Sequence, residues 1–209
     1  HLYHRRQRQM CIRDRSREDE IKYLKTQGIN LPWEKAKYSI NHGLWGTSVG
    51  GAETLTSNSP LPDVAYPSQL KTKTPEFLTL DFKKGELIGV NETVGSPVKL
   101  IQKLQEHAKK FAIGRDIHVG DTIIGIKGRV GFEAAAPIII IKAHHLLEKH
   151  TLTKWQLYQK EQLAKFYGMQ LHEGHYLDPV MRDMEAFMES SQKQVNGTVS
   201  IKLLSLIHI

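Results

Sequence analysis

The 209 residues carry 29 Lys and Arg against 22 Asp and Glu, but Arg5, Arg6, Arg8, Arg13 and Arg15 against Asp14 put +4 of the formal +7 into the first 15 positions. The remainder, with 24 basic and 21 acidic residues and a net charge of +3, gives no reason to expect nucleic acid or another polyanion as a partner. Cys11 is the only cysteine, which excludes a disulfide within the chain, and no apolar run reaches the roughly 18 to 20 residues of a membrane helix.

The two ends are related through their DNA. Leu204-Ser-Leu-Ile-His-Ile209 can be encoded by CTG TCT CTT ATA CAC ATC, whose reverse complement, shifted by one base, reads ATG TGT ATA AGA GAC AG. That string encodes Met10-Cys-Ile-Arg-Asp14 and opens the codon of Arg15. It resembles the end of a transposon-type library adapter, whose preceding bases read Arg5-Arg-Gln-Arg-Gln9 in the same frame. Residues 1–15 and 204–209 are therefore expected to be adapter-derived and are set apart from fold reasoning. Residues 16–203, about 188 positions, suffice for one core or for part of a larger one. That body has no cysteine, which suits a cytosolic protein.

In chain order, Ser16 to Thr26 has helical charge spacing and Gly28 stops it. From Asn30 to Pro75 the chain is rich in Gly, Pro, Ser and Thr with neither a helical nor a strand period sustained, as in a functional or packed-over irregular segment. Phe77 to Phe82 and Leu87 to Val90 read as a hairpin around Lys83-Lys-Gly-Glu86. Val98 to Phe111 spaces Leu100, Ile101, Leu104, Ala108 and Phe111 as an amphipathic helix closed by Gly114.

Ile117 to Val119 and Thr122 to Ile126 look like strands joined by the turn dipeptide Gly120-Asp121. Glu133 to His150 is expected to be helical, with Pro137 in its first turn. Its run Ile138 to Ile141 is apolar on every side and is expected to be buried against protein. Thr153 to Met169 and Pro179 to Gln192 read as further helices, and Gly197 to Leu203 as a strand. There is no internal repeat and no βαβ rhythm, so the class is α+β.

Tyr38-Ser39-Ile-Asn-His-Gly-Leu-Trp-Gly-Thr-Ser48-Val-Gly-Gly51 holds two serines on glycine-punctuated chain, where hydroxyls and bare amides can converge on a small polar ligand. By composition alone it is equally a loop in which serine and glycine make turns. Tyr-Ser, then Leu, then Ser-x-Gly-Gly, followed downstream by Gly125-Ile-Lys-Gly-Arg129, Phe132-Glu133 and Ala143-His144, resembles the synthetase domain of the argininosuccinate synthase family across nearly all of residues 16–203. The resemblance implies an irregular synthetase and multimerisation domain whose N-terminal nucleotide-binding α/β domain is missing from this chain. It also implies an ATP-dependent ligase of arginine biosynthesis: ATP adenylates the ureido oxygen of citrulline, and aspartate then attacks and expels AMP. It further implies cytoplasmic homotetramers, with ATP and its magnesium bound mainly upstream of residue 16.

Carried over by position, Ser39 and Ser48 are implied to hydrogen-bond citrulline, a ligand that needs directional donors and acceptors more than bulk charge. Where the family commonly has a glutamate that receives citrulline's amino group, Gly120 stands here beside Asp121. Asp121 either supplies that carboxylate or belongs to a turn. Phe132 replaces a family tyrosine and brings no hydroxyl. Arg129 and Glu133 match family positions and serve either the ligand or a structural ion pair.

The family's phosphate-cradling Ser-Gly-Gly-x-Asp-Thr-Ser loop follows a strand. Ser48-Val-Gly-Gly-Ala-Glu-Thr54 differs from it in spacing, and no preceding strand is read from the sequence. No catalytic residue, bound cofactor or metal ligand is assigned within the chain. His172-Glu-Gly-His175 has the wrong spacing for a zinc protease. Trp155, Tyr158, Phe166 and Tyr167, at helical spacing, read as packing residues rather than as base-stacking groups. Two classes of function stay open: part of the citrulline site of a ligase, or a non-catalytic α+β binding or oligomerisation module.

Overall fold

The computed structural model describes residues 17–31, 37–121 and 127–205, and the chain divides into two compact units, 1–38 and 39–209. In the first, α1 (Arg17–Thr26) ends as its sequence predicts. Gly28 takes a φ of +77°, its N–H donates to Lys25 O, and Ile29 N–H reaches back to Leu24 O. That pair of bonds is a Schellman closure, which favours glycine at the left-handed position.

The second unit contains strands β1 (Ser39–Gly43), β2 (Gly46–Gly50), β3 (Glu76–Lys83), β4 (Glu86–Val90), β5 (Thr93–Val94), β6 (Arg115–Asp121), β7 (Lys127–Glu133) and β8 (Gly197–Leu203). They form two antiparallel sheets, one ordered β1-β2-β7-β6 and the other β5-β4-β3-β8. With the helices described below, the chain is α+β, as the sequence indicates.

The core lies against the second sheet. Strand β3 alternates Leu78, Leu80 and Phe82 inward, the two-residue period of a half-buried strand. The β3–β4 turn falls at Lys84 and Gly85, both with positive φ, as expected of a primed hairpin turn. Helix α2 (Pro97–Ala108) and the short 3-10 turn after it present Leu100, Leu104, Ala108 and Phe111, all essentially buried. Helix α3 (Ala135–Thr151) adds Ala135, Ala136, Ile139, Ala143 and Leu147 to the same cluster. Burying each leucine contributes about 1.5 to 3 kcal/mol, so this cluster anchors the fold and leaves the first sheet free to carry a surface.

Three expectations are corrected. The stretch Asn30 to Pro75 contains the β1–β2 hairpin. Its period was hidden because one face of that hairpin is polar and glycine-lined. Gly120-Asp121 is not a turn: β6 runs through it and pairs Gly120 with Gly128 and Asp121 with Lys127, while the expected strand Thr122 to Ile126 lies outside the described residues. Glu133 ends β7 and is held in the ladder opposite Thr47 and Arg115, so α3 starts only at Ala135. Within the chain, the run Ile138 to Ile141 is buried only at Ile139; Ile138 and Ile141 are 40% and 53% exposed, because α3 turns only its 139, 143 and 147 stripe to the sheet.

Helix α4 (Lys154–His172) begins at a capping box in which Thr153 and Gln156 satisfy each other's backbone N–H groups. It buries none of its residues within the chain. Trp155, Tyr158 and Phe166 are exposed, which corrects their reading as packing residues here, whereas Tyr167 donates its hydroxyl to Glu185 on α5 (Pro179–Gln192) at 2.8 Å. No helix among the described residues is long and apolar enough to cross a membrane.

Candidate functional site

Residues opposite one another in an antiparallel ladder project from the same face, so the register of the first sheet assigns its two surfaces. Asn41 stands opposite Ser48, Ser48 opposite Phe132, and Phe132 opposite Asp116. One transverse row of side chains thus crosses all four strands. On the same face Ser39 stands opposite Gly50, and His118 opposite Val130. Ser39 and Ser48 are therefore diagonal neighbours, and Asn41 Nδ2 donates to Ser48 Oγ at 3.4 Å.

Glycines shape this face. A Cβ at Gly46 would lie 2.3 Å from the Phe132 ring, which leans across it. A Cβ at Gly120 would lie 2.8 Å from His118 Nε2, so the imidazole covers that position. Gly50 has nothing over it within 4 Å. Ser39, Asn41, Asp116, His118 and Phe132 are all exposed. The result is an open, largely neutral polar surface with one aromatic ring in it.

The opposite face is covered by the segment between β2 and β3. Leu61 sits on Gly131, where a Cβ would meet its Cδ2 at 2.3 Å. Arg129 donates to the carbonyls of Glu53 at 2.9 Å, Ser59 at 2.8 Å and Thr56, so it clamps that segment through backbone. Arg115 pairs with Asp63 at 3.0 Å and with the buried Glu133 at 3.5 Å, donates to Ser68 O, and lies over the Tyr66 ring. Burial is the largest influence on the Tyr66 phenol and pushes its pKa up, against the pull of Arg115.

Of the residues singled out from the sequence, Ser39, Ser48 and Phe132 come together on the open face. Arg129 and Glu133 face the other way and hold the covering segment. Asp121 also faces away from the serines, in a 2.7 Å ion pair with Lys127. Asn41, Asp116 and His118 were missed. The signal that finds them is the two-residue spacing 39, 41 and 116, 118 once these stretches are known to be strands. Ser48 to Gly50 lie in β2, so a strand does lead into the Ala52–Leu55 3-10 turn, contrary to the sequence reading.

A second polar cluster joins the helices. Glu148 of α3 is fully buried, and its Oε1 accepts from Lys160 Nζ at 2.5 Å and Gln192 Nε2 at 2.7 Å. His144 Nε2 lies 2.9 Å from Gln192 Oε1, and the ring rests against Phe82. Burial, the largest influence, lowers the His144 pKa against the opposing pull of Glu148. For Glu148 burial is again the largest single influence and pushes up, but Lys160, His144 and Gln192 together outweigh it and leave the carboxyl below its usual value. Among the described residues no group of three or more His, Cys, Asp or Glu side chains is placed to hold a metal.

The family described as Arginosuccinate synthase C-terminal domain matches residues 38–206. The chain is 36% identical over 191 residues to the argininosuccinate synthase of Methanocaldococcus jannaschii, covering 90% of this chain and 48% of the relative. It is 36% identical over 193 residues to that of Dehalococcoides mccartyi and 35% identical over 191 residues to that of Dictyoglomus turgidum, with the same coverage of 90% and 48%. The chain thus spans about half the length of the curated relatives it matches. With a C-terminal domain model covering both sheets and relatives agreeing over nine tenths of its length, this chain belongs to the argininosuccinate synthase family.

Proposed function

We propose that the chain supplies part of the citrulline site of an ATP-dependent ligase that condenses citrulline with aspartate and releases AMP and pyrophosphate. The observation that supports this most directly is the shared face of Ser39 and Ser48. Two hydroxyls and the Asn41 amide offer directional donors and acceptors to a neutral ureido group, which a field of charge would not select. Ligation of this kind depends chiefly on holding reactants in line and stabilising developing charge, and this face contributes the first of these. In this proposal the groups that handle ATP, its magnesium and aspartate belong to the half of the relatives that the chain does not span. The purified 209-residue chain is accordingly inactive alone. Assembly as a homotetramer is part of the same proposal, supported by the exposed apolar residues of α3 and α4.

The test is citrulline binding to the purified chain by ligand-observed NMR, alongside an assay for AMP formation. Ser39→Ala and Ser48→Ala should each weaken citrulline binding by about 0.5 to 1.5 kcal/mol, the net value of one neutral hydrogen bond. Both variants must keep the parent's thermal unfolding. Citrulline binding left intact in both folded variants refutes the site, and AMP produced above a boiled control refutes the inactivity.

A further inference from the structure

We infer that a cleft on the covered face of the first sheet binds a small zwitterion, with Glu133 receiving its ammonium group and Lys71 its carboxylate. The cleft lies on the opposite side of the sheet from the two serines and is independent of the function proposed above. Strand pairing sets His42, Thr47, Glu133 and Arg115 in one transverse row on this side. A cleft of about 380 Å³ opens over that row, bounded by Thr47 and Glu133, by Ser68, Gln69 and Lys71 of the covering segment, and by Gln105 of α2. That volume falls within the range of roughly 300 to 1,000 Å³ usual for small-molecule sites.

Glu133 is buried, at 3% exposure, yet weakly compensated. Its Oε2 meets the Ser68 backbone N–H at 3.4 Å and Arg115 Nε at 3.5 Å, both beyond the roughly 2.7 to 3.2 Å of a good hydrogen bond. Arg115 Nε is accordingly left buried without a hydrogen bond. The same guanidinium pairs more closely with Asp63, at 3.0 Å, so Glu133 has only a share of the cation beside it. Its Oε1 has no hydrogen-bond partner among the described residues. A buried carboxylate in that condition is costly until a cationic N–H group fills the open position. Two further acceptors line the cleft beside it. Gln69 commits its Nε2 to the carbonyls of Asp63 and Tyr66, which leaves its Oε1 to accept, and Thr47 brings a hydroxyl. Of the two lysines that line the cleft, Lys109 is held by Glu106 at 2.6 Å, whereas Lys71 is exposed and makes no ion pair among the described residues. One buried anion and one solvated cation thus border the same space. A zwitterion matches both, while a dication or a dianion meets one charge of its own sign.

The test titrates the 209-residue chain by NMR with three probes: 4-aminobutanoate, butanoate, which lacks its ammonium group, and propylammonium, which lacks its carboxylate. 4-Aminobutanoate should shift the backbone amides of Thr47, Ser68 and Gln69, and should bind at least about 10-fold more tightly than butanoate, as expected for a charge-assisted hydrogen bond. Glu133→Gln should reduce its affinity to that of butanoate, and Lys71→Met to that of propylammonium. Ser48→Ala, on the other side of the sheet, should change none of these affinities. No binding of 4-aminobutanoate at about 10 mM overturns the inference, as does equal binding of 4-aminobutanoate and butanoate. Shifts confined to Ser39 and Ser48, or a preference over butanoate that survives in folded Glu133→Gln, overturn it as well. If Glu133→Gln unfolds, the side-chain carboxyl carbon resonance of Glu133 in the parent decides the matter. It should move on addition of 4-aminobutanoate and not of butanoate, and a resonance unmoved by 4-aminobutanoate removes Glu133 from the site.

Discussion

Lys160 Nζ lies 2.5 Å from Glu148 Oε1 and ties α4, which buries nothing of its own, to the inside of α3. Gln192 from α5 donates to the same oxygen, so one carboxylate joins three helices. Removing one partner of a buried pair leaves an uncompensated charge, at a cost of about 3 to 5 kcal/mol. Lys160→Met should fall at the low end of that range, because the lysine is 22% exposed. Combining it with Glu148→Gln should recover part of the loss. Urea unfolding of the two single variants and the double variant measures this, and strictly additive losses would show that the pair is not coupled.

The same cluster sets a pH dependence. The His144 imidazole is held below its ordinary value of 6.5 by burial, with Glu148 pulling the other way. Glu148 is also lowered, because its partners outweigh its burial. Both groups then bind protons more tightly in the unfolded chain, so stability falls as pH falls. The loss from His144 begins as pH drops through about 6.5 and ends once the folded imidazole itself protonates. The loss from Glu148 follows lower, in the carboxylate range. Urea midpoints at about pH 7.5 and 5.5 should therefore differ, and His144→Gln should flatten the slope between them. A slope unchanged in that variant would assign the effect to other groups.

Gly131 and Leu61 form a steric lock on the covered face of the first sheet. A methyl at Gly131 would come within 2.3 Å of Leu61 Cδ2, the end of a side chain that has partial freedom to swing away. Gly131→Ala should destabilise by about 1 to 3 kcal/mol, the usual cost of overpacking. Leu61→Ala creates room and carries its own cavity cost. The double variant should consequently be more stable than the sum of the two single changes predicts. Thermal unfolding of the set decides this, and simple additivity would mean that the leucine is not what the new methyl meets.

The second sheet was legible because its chemistry repeats. Leu78, Leu80 and Phe82 alternate, and Lys84-Gly85 marks their turn. The first sheet was largely illegible for the opposite reason. Its open face is built from Ser39, Asn41, Ser48 and glycines, so β1 and β2 show no apolar alternation. Gly120-Asp121 has the composition of a turn, yet pairing with Gly128 and Lys127 extends the strand through it. The family motif located Ser39, Ser48 and Phe132, but the side to which each residue points follows from register alone. That is why Asp121, adjacent in sequence to the position of interest, lies on the wrong face for the serines, while Asp116 lies on theirs.

The outer surfaces of α3 and α4 carry apolar residues that are exposed among the described residues. Ile138 and Ile141 follow from the helical period, which leaves them outside the stripe of Ile139, Ala143 and Leu147. Trp155, Tyr158 and Phe166 lie on a helix with no buried residue, and Trp155 is 69% exposed. Exposed apolar groups gathered on neighbouring helices mark surfaces that meet protein, and a second copy of this chain is the partner that the proposed tetramer supplies. The purified chain should therefore sediment as an oligomer or associate with rising concentration. Ile141→Gln together with Trp155→Gln should shift it toward a monomer that still unfolds cooperatively, since neither side chain belongs to the buried core. A monodisperse monomer for the parent chain at high concentration would refute the association, and an unchanged oligomer in the folded double variant would place the contact on another surface.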